Sequence, residues 1–137
     1  MAEGVLEMRL VVTAPDFDEA LAFYRDVLGL RELGAYHEPG RRVTILDAGR
    51  ATLELADPPH AAWIDEVEVG RRVAGQIRVA FQVPDTAAAT RRLVEGGATL
   101  VAEPVETPWR SLNARLEAPA GLQLTLFEQL TETETFA

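Results

Sequence analysis

Cysteine and lysine are both absent from the 137-residue sequence, and serine occurs once, at position 111. Without cysteine the chain can form no disulfide, no thiolate zinc site and no cysteine nucleophile. Without lysine it has neither a Schiff-base lysine nor the lysine of a phosphate-binding P-loop. Ser111 does not lie in a G-x-S-x-G motif, which argues against a serine hydrolase.

Positive charge is also scarce. The chain carries 22 acidic residues and 13 basic ones, all arginine, for a formal net charge of −9. A surface of this sign repels nucleic-acid phosphates and anionic lipid headgroups, so we expect no nucleic acid and no membrane as partners. No run approaches the ~18 apolar residues of a membrane span, and the first residues lack the pattern of a signal peptide. We therefore expect one cytoplasmic domain.

The first half of the chain is typical of the order β-α-β-β-β. Residues 7–13 alternate between apolar and polar side chains, as a strand does. Asp16 and Glu19 form a capping-box-like pair that begins a helix, and Gly29 stands where such a helix ends. Turn residues then separate three short predicted strands, at 30–37, 41–48 and 51–56.

The second half repeats this order. Residues 76–83 alternate again, Pro84-Asp85 follows them, and a helix is predicted over 86–95. Three further strands are predicted at 98–103, 111–117 and 122–127. One domain over 1–137 therefore consists of a module at 5–57, a linker at 58–75, a module at 76–128 and an acidic tail at 129–137. The linker is expected to hold one helical turn at most, near Trp63.

Four segments carry a resemblance to a known family: TAPDFDEALAFYRDVLGL, TLELADP, RVAFQVPD and APAGLQLTLFE. With its duplicated order, the chain resembles the vicinal oxygen chelate superfamily, which includes glyoxalase I, bleomycin-resistance proteins and extradiol dioxygenases. The resemblance implies an α+β fold in which two βαβββ modules form an open, cup-shaped mixed sheet around a ligand. It also implies a homodimer, since many members are dimers with the site beside or across the subunit interface.

Metal-dependent members of that family place their ligands on four strands, as His or Gln, Glu, His and Glu. Alignment on the flanking motifs puts Arg9, Glu54, Arg78 and Thr125 at these positions, so that only the glutamate is retained. An arginine cannot lose its proton to bind a metal, and two guanidinium groups repel a divalent cation. The histidines, His37 and His60, lie elsewhere in the sequence. We therefore predict no metal and no other cofactor.

The same four residues are candidate ligand-binding residues, because they lie on the polar faces of strands. If those faces line the cup, two arginines and one glutamate leave an excess of one positive charge there. This predicts a small organic ligand with an anionic or carbonyl group, which an arginine fork binds well. Ordinary solvent-facing side chains, or an Arg–Glu pair that fills the cup, are the alternative. Six further candidates are expected on the wall or mouth of the cup: Tyr36, His37, Trp63, Trp109, Asn113 and Arg115.

Three functions stay open on this basis. The favoured one is a binding module that sequesters a small organic molecule, as bleomycin-resistance proteins do, because the metal positions are lost. The second is an enzyme: a metal-free isomerase, epimerase or lyase with Glu54 as the base, in which an arginine stabilises an enolate, or a metal-dependent glyoxalase-like lyase or dioxygenase. The third is a regulatory subunit whose cup is filled by its own side chains.

Overall fold

A computed structural model of the protein describes residues 4–27 and 29–130. The helices in this part are α1 (Phe17–Leu21), α2 (Pro58–Glu68) and α3 (Thr86–Glu95). A π-helical turn at Ala22–Val27 continues α1, and a 3-10 turn at Pro119–Gly121 precedes the last strand. The strands are β1 (Glu7–Thr13), β2 (Arg31–Glu38), β3 (Arg41–Asp47), β4 (Thr52–Ala56), β5 (Ile77–Gln82), β6 (Thr99–Glu106), β7 (Ser111–Ala118) and β8 (Leu122–Gln129).

The described strands form one eight-stranded mixed sheet in the order β2-β3-β4-β1-β5-β8-β7-β6. The two modules meet at the centre, where β1 and β5 run antiparallel with Arg9 opposite Ala80 and Val11 opposite Arg78. Each central strand also pairs in parallel with the last strand of its own module. The sheet is open, with β2 and β6 at its edges. This confirms the predicted α+β fold of two βαβββ modules.

Each module packs one helix against the outer face of the sheet. In the first module Phe17 and Leu21 pack with Leu46 and Leu55, which are fully buried. A second cluster lies under α3 and consists of Val83, Ala89, Ala114, Leu116 and Leu126. The duplicated Pro-Asp dipeptide explains where both helices begin, because Asp16 and Asp85 each accept a hydrogen bond from the backbone N–H three residues on, at 3.0 Å. The strand faces that carry Leu46, Leu55, Leu116 and Leu126 therefore pack against the helices, and the opposite faces form the concave side of the sheet.

The segment between the modules differs from its prediction. Residues 58–75 were expected to be a linker with at most one helical turn, but Pro58–Glu68 form the 11-residue helix α2. Asp57 caps this helix by accepting a hydrogen bond from the N–H of His60 at 2.9 Å. The two prolines occupy the first positions of the helix, where their missing N–H groups cost nothing and their fixed φ favours helical geometry. The helix lies against β3, β6 and β7.

Two smaller differences concern α1 and the C-terminal end. Helical spacing places Val27 on the apolar face, yet this side chain is 75% exposed. Val27 is the last residue of the π-helical turn, which has more residues per turn than an α-helix and so takes its side chains out of the α-helical phase. Gln129, predicted to open the acidic tail, ends β8, and the tail residues 131–137 lie outside the described residues. No described helix has the length and apolar character that crossing a bilayer requires.

Candidate functional site

The concave face of the sheet and α2 together enclose a cavity of about 310 Å³. Alternate residues of each strand share one face, so β1 contributes Arg9 and Val11, and β5 contributes Arg78 and Ala80. Much of the wall is apolar and includes Val43, Ile45, Ala56, Ile64 and Phe127. The charged lining residues from the strands and from α2 include Arg9, Glu54, Arg78, Asp65 and Glu68. The cavity therefore combines an apolar wall with a charged one.

Arg9 is occupied by its protein neighbours. Its Nε and Nη2 atoms both lie 3.0 Å from Glu7 Oε1, and Nη1 donates to Glu54 Oε2 at 3.4 Å. Its guanidinium carbon also lies 4.7 Å from the centroid of the Phe127 ring. All three nitrogen atoms of Arg9 therefore face carboxylates, two of them that of Glu7 and one that of Glu54.

Arg78 differs from Arg9 in this respect. Within the described part of the chain its one hydrogen bond runs from Nη1 to Thr125 Oγ1, at 2.7 Å. A guanidinium carries five N–H donors, and Arg78 lines the cavity, so most of its donors are available to a bound molecule. Burial lowers the pKa of Arg78, while the carboxylates of Glu68 and Glu54 raise it again. Arg78 thus lines the cavity with several N–H donors that can bind an acceptor on another molecule.

Thr125 and Arg115 lie behind the cavity surface. Thr125 accepts from Arg78 and donates to Glu68 Oε1 at 3.3 Å. Arg115 is 0% exposed, because Asp65 and Glu68 of α2 cover it with hydrogen bonds of 2.8 and 2.7 Å. The expectation that Arg115 contacts a ligand is therefore corrected: the helix that the sequence analysis interpreted as a linker encloses its guanidinium in the protein.

The same helix removes the predicted excess of positive charge. Arg9, Arg78 and Arg115 are matched by Glu54, Asp65 and Glu68, so three guanidinium groups meet three carboxylates. Burial by itself raises the pKa of Asp65, but hydrogen bonds from the backbone N–H groups of Ala74 and Val73 and from Arg115 and Arg72 outweigh it, so the pKa lies below its usual value. The charges of this network therefore balance, and the excess of positive charge expected from the sequence is not found.

Asn113 belongs to the same network and also reaches the cavity. Its Nδ2 donates to Glu68 Oε2 at 2.7 Å, and its Oδ1 accepts from the Ser111 hydroxyl at 2.5 Å. Asn113, Ser111 and Glu68 all line the cavity. Because its amide is already bound at both ends, Asn113 fixes the position of Glu68.

Aromatic side chains form the mouth of the cavity. The rings of Trp63 and Trp109 are 5.7 Å apart between centroids and tilted by 44°, and Trp109 is 39% exposed. The guanidinium of Arg41 lies 3.7 Å from the Trp63 ring centroid. Tyr36 lines the cavity as well. The next residue after Trp109, Arg110, has a φ of +65°, which is unusual for a residue other than glycine and marks a sharp turn there.

The two histidines have different places from those expected. His37 lies on the opposite face of β2 from Tyr36, where its ring meets the edge of Phe17 at 6.2 Å and its Nε2 lies 3.4 Å from Thr44 Oγ1. The prediction of His37 at the mouth is thus wrong, because strand alternation turns it to the outer face. His60, which the sequence pattern places in a linker away from the site, lies in α2 and lines the cavity with 6% exposure.

The pKa of His60 is lowered to about 4, mainly by burial and also by the charge of Arg41, while the charge of Asp57 opposes the shift. Sequence reasoning missed His60, Asp65 and Glu68 for one reason, the interpretation of α2 as a linker. The sequence does contain a signal for this helix, since Asp57 followed by two prolines is typical of a helix start.

The four positions that hold a metal in metal-dependent relatives do not fit a divalent cation in this chain. Arg9 and Arg78 can only donate, and each is directed to an oxygen that a metal would need, on Glu54 and Thr125. Among the described residues no group of three His, Asp or Glu side chains is placed to hold an ion. The side chains at these four positions therefore form hydrogen bonds and ion pairs with one another.

Several solved structures share this architecture. A variant of the Streptomyces coelicolor methylmalonyl-CoA epimerase in complex with 2-nitronate-propionyl-CoA is 19% identical, with a TM-score of 0.62, over 96% of this chain and 100% of that one. The Mycobacterium tuberculosis methylmalonyl-CoA epimerase is 22% identical, with a TM-score of 0.63, over 96% and 91%. A superfamily member from Vibrio splendidus 12B01 is 15% identical, with a TM-score of 0.64, over 90% and 99%. At these identities the likeness concerns the fold.

The sequence itself carries the assignment to a family. None of the curated protein sequences is similar enough to this chain to count as a match. The family model described as Glyoxalase/Bleomycin resistance protein/Dioxygenase superfamily, in contrast, matches residues 8–126, which include both modules and α2. The chain therefore belongs to the glyoxalase/bleomycin resistance protein/dioxygenase superfamily.

Proposed function

We propose that this chain is a binding protein of the sequestration type, which holds a small organic molecule in the cup without a metal and without changing it. The observation that carries the proposal is the state of Arg78. This guanidinium lines the cavity with a single hydrogen bond to the described part of the protein, at 2.7 Å to Thr125. Its remaining donors are accessible in the cavity, where a ligand oxygen can accept charge-assisted hydrogen bonds from them.

The lining indicates the chemistry of the ligand. A carbonyl or carboxylate oxygen satisfies Arg78, while an apolar body fits against Val43, Ile45 and Phe127. A volume of about 310 Å³ is at the small end of the range for ligand sites, which is roughly 300–1,000 Å³. The expected ligand is therefore a compact, mostly apolar molecule with one polar end.

One observation favours a second candidate, a metal-free isomerase or epimerase. Glu54 lines the cavity with a side chain that is 16% exposed, so a base is available there. Methylmalonyl-CoA epimerases share the fold. Against this candidate, Glu54 Oε2 already accepts a hydrogen bond from Arg9, and a base needs free access to the proton it removes.

A pair of variants tests the binding proposal, with 2-naphthoate as the probe in titration calorimetry. Arg78→Ala is expected to weaken binding at least tenfold, because a charge-assisted hydrogen bond is lost. Arg9→Ala is the matched control and is expected to change the affinity less, since Glu7 and Glu54 occupy its nitrogen atoms. Equal affinity of Arg78→Ala and the wild type contradicts the proposal, as does a wild type that does not bind.

The enzyme candidate has its own test. The chain is incubated with methylmalonyl-CoA in D2O and EDTA, and deuterium at C2 is followed by NMR. The binding proposal predicts no exchange above the protein-free rate. Exchange that disappears in Glu54→Gln establishes the epimerase instead, and exchange that depends on added divalent metal establishes the metal-dependent enzyme.

The proposal includes a homodimer, in line with many members of the family. Exposed apolar side chains on and beside the two central strands support it, namely Val5, Leu6, Met8 and Ile77. Sedimentation equilibrium measures the mass in solution, and a monomer at high micromolar concentration contradicts this part of the proposal. The cytoplasmic location stays a prediction.

A further inference from the structure

The hydrogen bond between Arg41 and His60 fixes the tautomer of the histidine. Arg41 Nη1 lies 3.3 Å from His60 Nδ1. A guanidinium can only donate, so Nδ1 must be the acceptor and carry no proton. The proton of the neutral ring is then on Nε2. The position of Arg41 is itself determined by its contact with Trp63, over whose ring its guanidinium lies at 3.7 Å.

The Nε2–H group of His60 is left as a donor at the cavity. His60 lines the cavity, and Nε2 has no hydrogen-bond partner among the described residues. The rest of the residue is held firmly: its backbone N–H is bound to Asp57 in the first turn of α2, and its ring lies 5.6 Å from that of Trp63. A donor that is accessible in a cavity, on a ring held by its neighbours, and that has no protein partner can bind an acceptor on a ligand.

We propose that His60 is a second ligand-binding residue, which donates a hydrogen bond from Nε2 to a ligand whose other acceptor is held by Arg78. This inference rests on the proposed function and makes the ligand more specific. The two donors, on β5 and on α2, can each bind a different acceptor atom at the polar end of the ligand. A carboxylate, or a pair of neighbouring carbonyl groups, offers one oxygen to each donor, whereas a single aldehyde or ketone oxygen would have to accept from both.

The charge state of the ring agrees with this geometry. Burial and the charges of Arg41 and Arg78 keep the imidazole neutral near neutral pH. The charges of Arg9, Arg78 and Arg115 are already balanced by carboxylates. A neutral donor at His60 adds a directional contact without disturbing that balance. The site therefore distinguishes ligands by the number and position of their acceptors.

The test compares two probes, 2-naphthoate with two acceptor atoms and 2-naphthaldehyde with one, by titration calorimetry. His60→Phe keeps a planar ring without the donor. It is expected to weaken the binding of 2-naphthoate about tenfold and to change the affinity for 2-naphthaldehyde by no more than about twofold. His37→Phe, on the outer face of the sheet, is the matched control and should bind both probes like the wild type. An unchanged 2-naphthoate affinity in His60→Phe overturns the inference.

Failure of the inference can be told from failure of the proposed function. If Arg78→Ala loses affinity for 2-naphthoate and His60→Phe keeps it, the binding function stands and the role of His60 is refuted. If the wild type binds neither probe, both are refuted. The tautomer of His60 can also be measured without a variant, by ¹⁵N NMR of the wild type, because the sequence has only two histidines whose signals must be resolved. The spectrum should show His60 protonated at Nε2, with this signal shifting on addition of 2-naphthoate, and a Nδ1–H tautomer or an unmoved signal overturns the inference.

Discussion

Arg78 donates a hydrogen bond of 2.7 Å to the hydroxyl of Thr125, on the neighbouring strand. That hydroxyl has its own proton directed to Glu68 of α2, at 3.3 Å. The oxygen of Thr125 is therefore oriented as an acceptor, and the guanidinium is fixed by a residue that does not itself line the cavity. The strand position at which metal-dependent relatives carry a metal-binding glutamate here serves to orient an arginine.

Thr125→Val is predicted to weaken the binding of 2-naphthoate about three- to tenfold, because it removes this hydroxyl. The side-chain shape is kept. The substitution also leaves Glu68 with one donor fewer, at a cost of about 1 kcal/mol in the free energy of unfolding. Titration calorimetry and urea unfolding measure the two effects. Thr125→Ser keeps a hydroxyl and is expected to retain most of the affinity, so that equal affinities of the two variants would show the hydroxyl to be unimportant.

Arg115→Met is predicted to destabilise the protein by about 3–5 kcal/mol. Asp65 and Glu68 are 1% and 5% exposed and would each lose a cationic partner in the protein interior. Urea unfolding followed by circular dichroism measures the loss. The same substitution at Arg91, an exposed residue of α3, is the control and should change stability by less than about 0.5 kcal/mol. A similar midpoint for both variants would mean that the buried network contributes little.

Acid is predicted to destabilise the wild type partly through His60. The pKa of this residue is about 4 in the folded protein, against 6.5 for the ordinary side chain, because of burial and the charges of Arg41 and Arg78. Between these values the unfolded chain binds a proton that the folded chain does not, so stability is fully present above pH 6.5 and falls as the pH drops toward 4.

The contribution of His60 amounts to about 2 kcal/mol between pH 7 and pH 5. Urea unfolding of the wild type and His60→Phe at both pH values measures it. The stability difference between the two proteins should shift by this amount in favour of the variant at pH 5. Parallel pH dependence of both proteins would show that His60 titrates normally.

The N-terminal caps of α2 and α3 can be removed one at a time, to compare a helix on the cavity wall with a helix on the outer face of the sheet. Asp57→Ala removes the cap of α2, and Asp85→Ala removes the equivalent cap of α3. Each is predicted to cost about 1 kcal/mol or more in the free energy of unfolding. Only Asp57→Ala is predicted to weaken 2-naphthoate severalfold, because α2 carries His60 and Glu68. Calorimetry on both variants checks this, and an equal loss of affinity would mean that α2 acts only through overall stability.

The fold follows from the sequence because its signals are local and occur twice. Alternation identifies the strands, and the repeated Pro-Asp dipeptide marks the start of α1 and α3. The antiparallel pairing of β1 with β5 brings Arg9 and Arg78 to one concave face, as the strand parity predicts. Periodicity of two along each strand is enough to decide which side chains face inward.

The network on α2 could not be derived in the same way. Asp65 and Glu68 meet Arg115 across 50 and 47 residues of sequence, and no local pattern indicates a partner at that distance. Two prolines in succession were interpreted as a break, whereas after Asp57 they begin a helix. Because the sequence pattern does not reveal the carboxylates of α2, it predicts an excess of positive charge in the cup, places Arg115 on the cup wall and assigns no role to His60.

Helix α2 combines two roles in neighbouring turns. Its side chains His60, Trp63 and Ile64 line the cavity, while Asp65 and Glu68 bind the buried Arg115. Under the proposed function, an engineer who wants a new ligand selectivity would vary positions 60, 63 and 64 first. Positions 65 and 68 would stay fixed, because a cationic side chain in the protein interior depends on them.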